Sequence, residues 1–443
     1  MSELKTAVQT ILDRAKGYQT AQKYYDGTVD EIFASAKVKR ALEKTGNQFR
    51  VNYAKTPVDA VGSRLELTGV ATLSDQAKQV VDQAWQENNL ELELSQIITN
   101  TLVYGDSYVF VWPDEQDQTQ IYYNSPLTTV VIYDVENPRK PAYAAKMWTI
   151  ELEDGRQRVR VNLYFAGRIC KYISKSESLP MTVQDSDFEP FVDEDTDEQG
   201  QLVNEYGQIP IFHLSTGTPE HLSAYGPQNA INKLLISQMS SVEAYGFPTR
   251  YVIAGDHTGS PSDFGDDDDS NSLSNEPGEL WWLQNVNKVG QFDPAKPETL
   301  ISPYREYVRA MASVTSTPLS YFENTQTNVS GEALRAAEAP LVKKVRLRQL
   351  AIGSALRKMF LFVLKLNQID EDVQLQWRQI ESIDTSETWD IIKKKRDAGL
   401  PAEQIWLEHG YDTALIEQWR RAGLLDQPAT TNITEKENGD EAA

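Results

Sequence analysis

Apolar residues Leu4, Val8, Ile11, Leu12 and Ala15 recur at helical spacing over 3–25 and stop at the Tyr24-Tyr25-Asp26-Gly27 turn signal, which predicts a short peripheral helix. Pro57 suits a first helical position, with Val58, Val61 and Leu65 following before the chain turns at Leu67-Thr68-Gly69. Residues 74–104 carry two helical runs, Val80-Val81-Ala84-Trp85 and Leu90-Leu94-Ile97-Ile98-Leu102, with Ser74 as N-cap and Gly105-Asp106 as the break. From Tyr108 to Cys170 the pattern turns to β. Tyr108–Trp112, Thr128–Tyr133 and Arg158–Tyr164 are separated by Pro, Asp and Gly turns, predicting one antiparallel sheet beside helices.

Further on, Ile231, Leu234, Leu235, Met239, Val242 and Tyr245 make one stripe of a helix over Ser223–Tyr245, stopped by Phe247-Pro248. Residues 248–302 read as a small β-rich insertion, with runs at Arg250–Ala254 and Glu279–Leu283 around a polar loop. A helix from about Tyr304 to Ser316 ends before Pro318. Ser320 to Val329 is polar and, apart from Glu323, uncharged, which predicts a mobile loop. From Ser330 a helix extends to Leu366, about 54 Å at the usual rise. Its apolar side carries Leu334, Leu341, Val345, Ile352, Leu356, Met359, Phe360 and Val363, and Pro340 is expected to kink it. Helices over Ser386–Ala398 and Pro401–Arg421, broken by Gly399 and Gly410, precede a polar tail from Asp426 that is expected to be disordered.

Charge then narrows the function. Against 43 Lys and Arg stand 65 Asp and Glu, a net charge of -22, which excludes a basic surface that wraps nucleic acid by counterion release. The 443 residues suggest about three folded units, and 40% hydrophobic residues suffice for cores. The single cysteine, Cys170, makes neither an internal disulfide nor a zinc cluster and suits a reducing compartment. No run has signal-peptide character or membrane-spanning length.

Charge is also uneven along the chain. Eight acids (Asp185, Asp187, Glu189, Asp193, Glu194, Asp195, Asp197, Glu198) crowd residues 183–200, where a solvated, flexible loop is expected because the calcium-loop spacing is absent. Asp266, Asp267, Asp268 and Asp269 could clamp divalent ions for phosphoryl chemistry, but consecutive carboxylates on an extended tip point apart. Between Gly331 and Leu366 eight bases face two acids. There Arg335, Lys343, Lys344, Arg346 and Arg348 are read as a basic face against acidic neighbours in an oligomer, or as solvated stems over the core.

Enzyme signatures are lacking: no P-loop, dinucleotide fingerprint, His-Glu-x-x-His or Gly-x-Ser-x-Gly element occurs. Of the histidines, His213, His221, His257 and His409, the first two could pair on a metal but lack a close third ligand. Neither a cofactor nor a metal is expected.

The order of parts resembles the portal proteins of tailed double-stranded DNA bacteriophages. Ser330-Gly331-Glu332-Ala333-Leu334-Arg335 is similar to that family's Ser-Gly-x-Ala-Leu element opening a long helix. Support comes from Asn52 through Arg64, Tyr104-Gly105-Asp106-Ser107-Tyr108, Tyr206-Gly207-Gln208-Ile209-Pro210-Ile211 and Gly290-Gln291-Phe292, together spanning residues 50 to 400. The resemblance implies a predominantly helical α+β chain that is not an enzyme and forms a cyclic ring, usually of about twelve copies, at one capsid vertex. DNA would pass through its axis without sequence reading. By position, 1–222 with the long helix 331–366 would be the wing, 223–247 and 303–317 the stem helices, and 248–302 the clip. Residues 318–330 would be the tunnel loop, 367–425 the crown and 426–443 a disordered tail. The clip, with Asp266–Asp269, would meet the terminase large subunit and later the head-tail adaptor. Asn324, Thr325, Gln326, Thr327 and Asn328 would line the DNA channel, and the ring would sit among major capsid and scaffolding proteins. Two other readings stay open on the residues alone: a metal-dependent nuclease or nucleotidyl-transfer enzyme using the aspartate run, and an acidic intracellular scaffold.

Overall fold

The computed structural model describes residues 2–29, 51–152, 154–246, 250–254, 286–291, 298–323, 331–380 and 385–408, with scattered positions from 411 to 425. Helix α1 (Glu3–Asp26) runs 24 residues and ends at Gly27, whose φ of 70° makes the left-handed cap. Its span matches the predicted 3–25, but it is not peripheral. Leu4, Ala7, Val8 and Ile11 are buried against Val130, Ala145, Val161, Leu163 and Cys170 of a sheet, and Tyr18, Ala21 and Tyr24 continue the buried stripe. The stripe is inconspicuous beyond Ala15 because tyrosine and alanine carry it onward, and neither advertises burial as leucine does.

Helix α2 (Thr56–Gly62) has Pro57 in its first turn. Strand β1 (Leu67–Ala71) follows, then α3 (Asp75–Glu87), capped by Ser74, whose hydroxyl accepts from the Ala77 N–H, and α4 (Leu90–Tyr104). Between α3 and α4, Asn89 takes a left-handed φ of 47°, so the 74–104 signal resolves into two helices.

The β region holds more strands than the pattern predicts, in two sheets. Strands β2 (Asp106–Pro113), β3 (Thr119–Asn124), β4 (Thr129–Tyr133), β5 (Pro141–Glu151), β6 (Gln157–Tyr164), β7 (Arg168–Ser174), β8 (Phe188–Pro190), β9 (Gln201–Val203) and β10 (Ile211–Ser215) are antiparallel to their partners. One sheet has the order β10-β2-β3, and the other runs β4-β5-β6-β7-β8 with β9 also on β7. They face each other through Tyr108, Phe110 and Ile211 against Val131, Ala144, Tyr164 and Ile169. Strand β5 was hidden because Pro141-Ala142-Tyr143-Ala144-Ala145 lacks the β-branched residues that mark strands.

The acidic stretch 183–200 is not a free loop. Asp193 accepts from Lys171 Nζ (2.6 Å) and Arg160 (3.2 Å), Arg158 lies 3.4 Å from Glu189, and Phe191 stacks on the Arg160 guanidinium. Gly200, at φ 70°, lets the turn close. A Cβ there would meet the Lys171 carbonyl oxygen at 2.7 Å. Two of the eight acids, Glu189 and Asp193, thus pair with bases on the sheet and the flanking β8 and β9 pair with β7, while Asp185, Glu194, Asp195, Asp197 and Glu198 stay exposed as expected.

Helix α5 (Tyr225–Gly246) leads to an antiparallel pair, β11 (Arg250–Ala254) and β12 (Val286–Gln291), and then to α6 (Glu298–Val314). The last starts earlier than the pattern suggests, with Pro303 inside it. The Glu279–Leu283 run lies outside the described residues, as do 426–443. Residues Leu319–Tyr321 form a 3-10 turn and Phe322 is buried, so the mobile loop expected over 320–329 is folded at its start.

The long helix has the predicted span: α7 (Gly331–Leu366) contains Pro340 and buries Leu341, Val345, Ile352, Leu356, Met359, Phe360 and Val363 against α2–α4, β2 and β10. Strand β13 (Gln374–Trp377) pairs with β1, and Val373 joins the core that α7 forms with α2–α4. Helices α8 (Thr385–Asp397) and α9 (Ala402–Glu408) gather a separate aromatic cluster of Trp389, Trp406, Tyr411 and Trp419. Gly399, at φ 82°, breaks the chain between them, whereas Gly410 lies outside the described residues.

Candidate functional site

The base of the α5–α6 helix pair is where the sequence elements with suspected function converge. Tyr24 of α1 stacks on Tyr225 at 3.7 Å, the Tyr53 and Tyr304 hydroxyls meet at 3.0 Å, and Ile231, Val308, Met311 and Phe322 pack between them. Gln228, buried on α5, closes the polar account. Its amide donates to the Val51 carbonyl (2.6 Å), and its carbonyl accepts from the N–H groups of Tyr53 and Ala54. Asn52 donates to the Tyr25 carbonyl at 2.6 Å. An extended strand of chain can pass through a core only if its backbone groups are paired, and these two amides do that.

The junction with α7 is electrostatic. Glu220, almost wholly buried, accepts from Lys344 Nζ at 2.9 Å and from Arg348 Nε at 2.8 Å. Lys344 also donates to the Thr315 carbonyl at the end of α6, and Arg348 to the Thr216 carbonyl. Burial draws the Lys344 ammonium below its ordinary pKa, opposed by the Glu220 charge. One carboxylate thus ties the end of α6 and the approach to α5 onto α7.

A second tie lies nearby. One Arg64 nitrogen donates to the Tyr321 hydroxyl (2.8 Å) and to Glu338 (2.9 Å). Tyr321 and Glu338 stand on the two sides of residues 324–330, three residues before and eight residues after them.

Five residues were named as a basic face, and the structure divides them. Lys344 and Arg348 are paired within the chain, on Glu220. Lys343, Arg346 and Arg335 lie on exposed positions of α7. Asn324, Thr325, Gln326, Thr327 and Asn328, and Asp266, Asp267, Asp268 and Asp269, lie outside the described residues. Glu220 and Gln228 carry no signal in the sequence, and Arg64 stands out there only as the end of the motif that begins at Asn52. Each is a lone polar residue, and only the excess of bases in α7 hinted that a buried acid would be needed.

The histidines that might have shared a metal do other work. His213 Nε2 meets Asp106 at 2.9 Å and Nδ1 meets the Tyr133 hydroxyl at 3.0 Å. Asp106 also accepts from Ser215 (2.7 Å) and Tyr18 (2.8 Å). These bonds hold its carboxyl below the ordinary range although burial alone would raise it. Ser215 and His213 both turn to Asp106 and neither to the other, so the serine has no base and a nucleophilic triad is not formed. His221 is fully buried, donates from Nε2 to the Ala21 carbonyl at 2.9 Å and has a bare Nδ1. His257 and His409 lie outside the described residues, among which no group of three or more His, Cys, Asp or Glu could hold a metal and no helix is long and apolar enough to cross a membrane.

Burial lowers the His221 pKa. The unfolded chain takes up a proton near pH 6.5 and the folded one only at lower pH, so this group favours folding above about pH 6.5 and the benefit fades as pH falls below it. Urea midpoints at pH 7.5 and 5.5 are expected to show wild type losing more stability than His221→Gln over that interval. Equal losses would remove His221 from the acid response.

A family profile described as phage portal protein, SPP1 Gp6-like, matches residues 7–421. The chain belongs to the phage portal protein family. The portal protein of Mycobacterium phage L5 is 23% identical over 447 residues, covering 92% of this chain and 85% of that protein. That of Mycobacterium phage D29 is 24% identical over 404 residues, covering 84% and 78%. Among solved structures, a chain from the neck of an empty gene transfer agent particle matches at TM-score 0.46 and 13% identity, covering 84% of this chain and 95% of that one.

The segments that carried the resemblance have visible tasks in this portal chain. Asn52 and Pro57 organise the approach to α2, and Arg64 makes the tie described above. Gly105 takes φ 85° to end α4, so that Asp106 can start β2 facing His213. Tyr206 packs edge-on to Trp112 and Phe362 while its carbonyl accepts from Lys365 at 2.8 Å.

Proposed function

We propose that copies of this chain close into a ring at one capsid vertex of a virion, through which double-stranded DNA is packaged and later ejected, without catalysis by the ring itself. Family membership across residues 7–421 carries the reading. The succession of a helix, an antiparallel strand pair, a second helix and a long helix supplies a physical basis for it. Helices α5 and α6 would be the stem, 248–297 the clip with Asp266–Asp269 facing the terminase large subunit and later the head-tail adaptor, and 324–330 the tunnel loop. The crown would begin after residue 380, a reading supported by the pairing of β13 with β1. Major capsid and scaffolding proteins would surround the ring.

A conduit must let DNA slide. A net charge of -22 discourages phosphate from sticking, and Asn324-Thr325-Gln326-Thr327-Asn328 offers polar contact without fixed charge. Deleting 324–328 is expected to leave rings intact by negative-stain microscopy while packaging into capsids fails. Unimpaired packaging would remove that segment from the channel, and purified chain that forms no closed ring with or without capsid components would overturn the reading.

A further inference from the structure

The clamp on Glu220 has an outer side. On α7, beside the clamping Lys344 and Arg348 in sequence, the fold leaves Leu347 (58% exposed) and Leu350 (67%) in water. Single exposed leucines are ordinary, but these two are three residues apart and so share one face of the helix. Lys343 and Arg346 share that face of α7, one turn or less from Leu347, and have no ion-pair or hydrogen-bond partner among the described residues. Since Lys344 and Arg348 are held from behind, this face is presented on a rigid element.

A feature of opposite character sits on other elements of the same core. A groove of about 650 Å³ opens between the end of α2, β1, α3 and the start of α4, with Leu65, Trp85, Leu92 and Leu94 in its walls and Glu66 and Glu91 along it. Leu347 and Leu350 lie on the side of α7 turned away from that core, so the two features of one chain do not cover each other.

We propose that Leu347 and Leu350, flanked by Lys343 and Arg346, seat in the α2–α4 groove of a second copy of this chain. The inference rests on the ring reading and names what would hold adjacent subunits together. Charge selects the occupant. Two copies carrying -22 each repel in most orientations, and a basic apolar face against an acidic apolar groove is an arrangement that attracts. The contact is heterologous, since the two surfaces differ, and a heterologous contact whose rotation closes makes a ring.

Full-length chain carrying Lys343→Glu and Arg346→Glu, and chain carrying Glu66→Lys and Glu91→Lys, are compared by sedimentation velocity and negative-stain microscopy. Glu66 also pairs with Arg378, but both are well exposed, so reversing it leaves the fold standing, which circular dichroism checks. Each reversed chain alone is expected to lose the assembled species. Mixed in equal amounts they are expected to assemble again, because the acidic face of one then meets the basic groove of the other, and the four-substitution chain is expected to assemble by itself. Leu347→Asp with Leu350→Asp should abolish assembly with no such rescue. Rings from either reversed chain alone, or failure of the mixture to reassemble, overturn this inference and leave the ring reading intact. A wild-type chain that never assembles overturns the ring reading instead.

Discussion

Glu220→Ala is expected to cost about 3–5 kcal/mol, read as a fall in the urea midpoint followed by tryptophan fluorescence, because it strands Lys344 and Arg348 without their shared carboxylate. Trp85, stacked on Phe360 where α3 meets α7, reports from the affected core. The large value comes from the two charges left behind and does not measure the net worth of the pairing. Replacing the trio together, as Glu220→Leu with Lys344→Met and Arg348→Leu, is therefore expected to cost less than Glu220→Ala alone. A loss below about 1 kcal/mol for the single change would mean the clamp is as weak as a surface ion pair. Tying α6 and the approach to α5 onto α7 has a functional consequence under the ring reading, since movement in the helix pair then reaches the wing through this carboxylate.

Gly105→Ala is the second large effect. Its φ of 85° is left-handed, which costs an L-residue about 1–2 kcal/mol, and its Cβ would lie 2.7 Å from the Thr218 carbonyl carbon and 2.9 Å from Pro219 N. Those are backbone atoms leading straight to Glu220, so nothing flexible yields, and overpacking adds about 1–3 kcal/mol. A total of about 2–5 kcal/mol is expected from chemical denaturation. Gly155→Ala separates the two contributions: its φ is 78° with no atom within 4 Å, so only the conformational part remains. Equal losses at both positions would show that the approach to Thr218 costs nothing.

Much of this was legible before the structure. The stripe on α7, the N-cap at Ser74 and the break at Gly105 are local properties, written in residue spacing and backbone preference, and they form as read. Long-range charge was misread in two places for one reason. Asp193, within the otherwise largely exposed acids of 183–200, and the bases Lys344 and Arg348 look solvent-facing when only their neighbours in the chain are considered. Asp193 finds Lys171 and Arg160 on a sheet, and Lys344 and Arg348 find Glu220 more than a hundred residues away. Paired across that distance, they need not face water.

By itself the amino-acid order determined the helices with strong periodicity, the turns that only glycine makes easily, the overall repulsion of phosphate, and through its ordered motifs the family. Tertiary structure decided what those elements do to one another: that the β region is two facing sheets, that β13 closes on β1 over the core of α7, and that Lys344 and Arg348 of α7 are clamped on a buried carboxylate while Lys343 and Arg346 stay exposed. The physical reason is one of range. Backbone preference and hydrophobic period act within a few residues, whereas the partner of a charge or of a strand edge is chosen only when the chain has folded and burial has made an unpaired group costly.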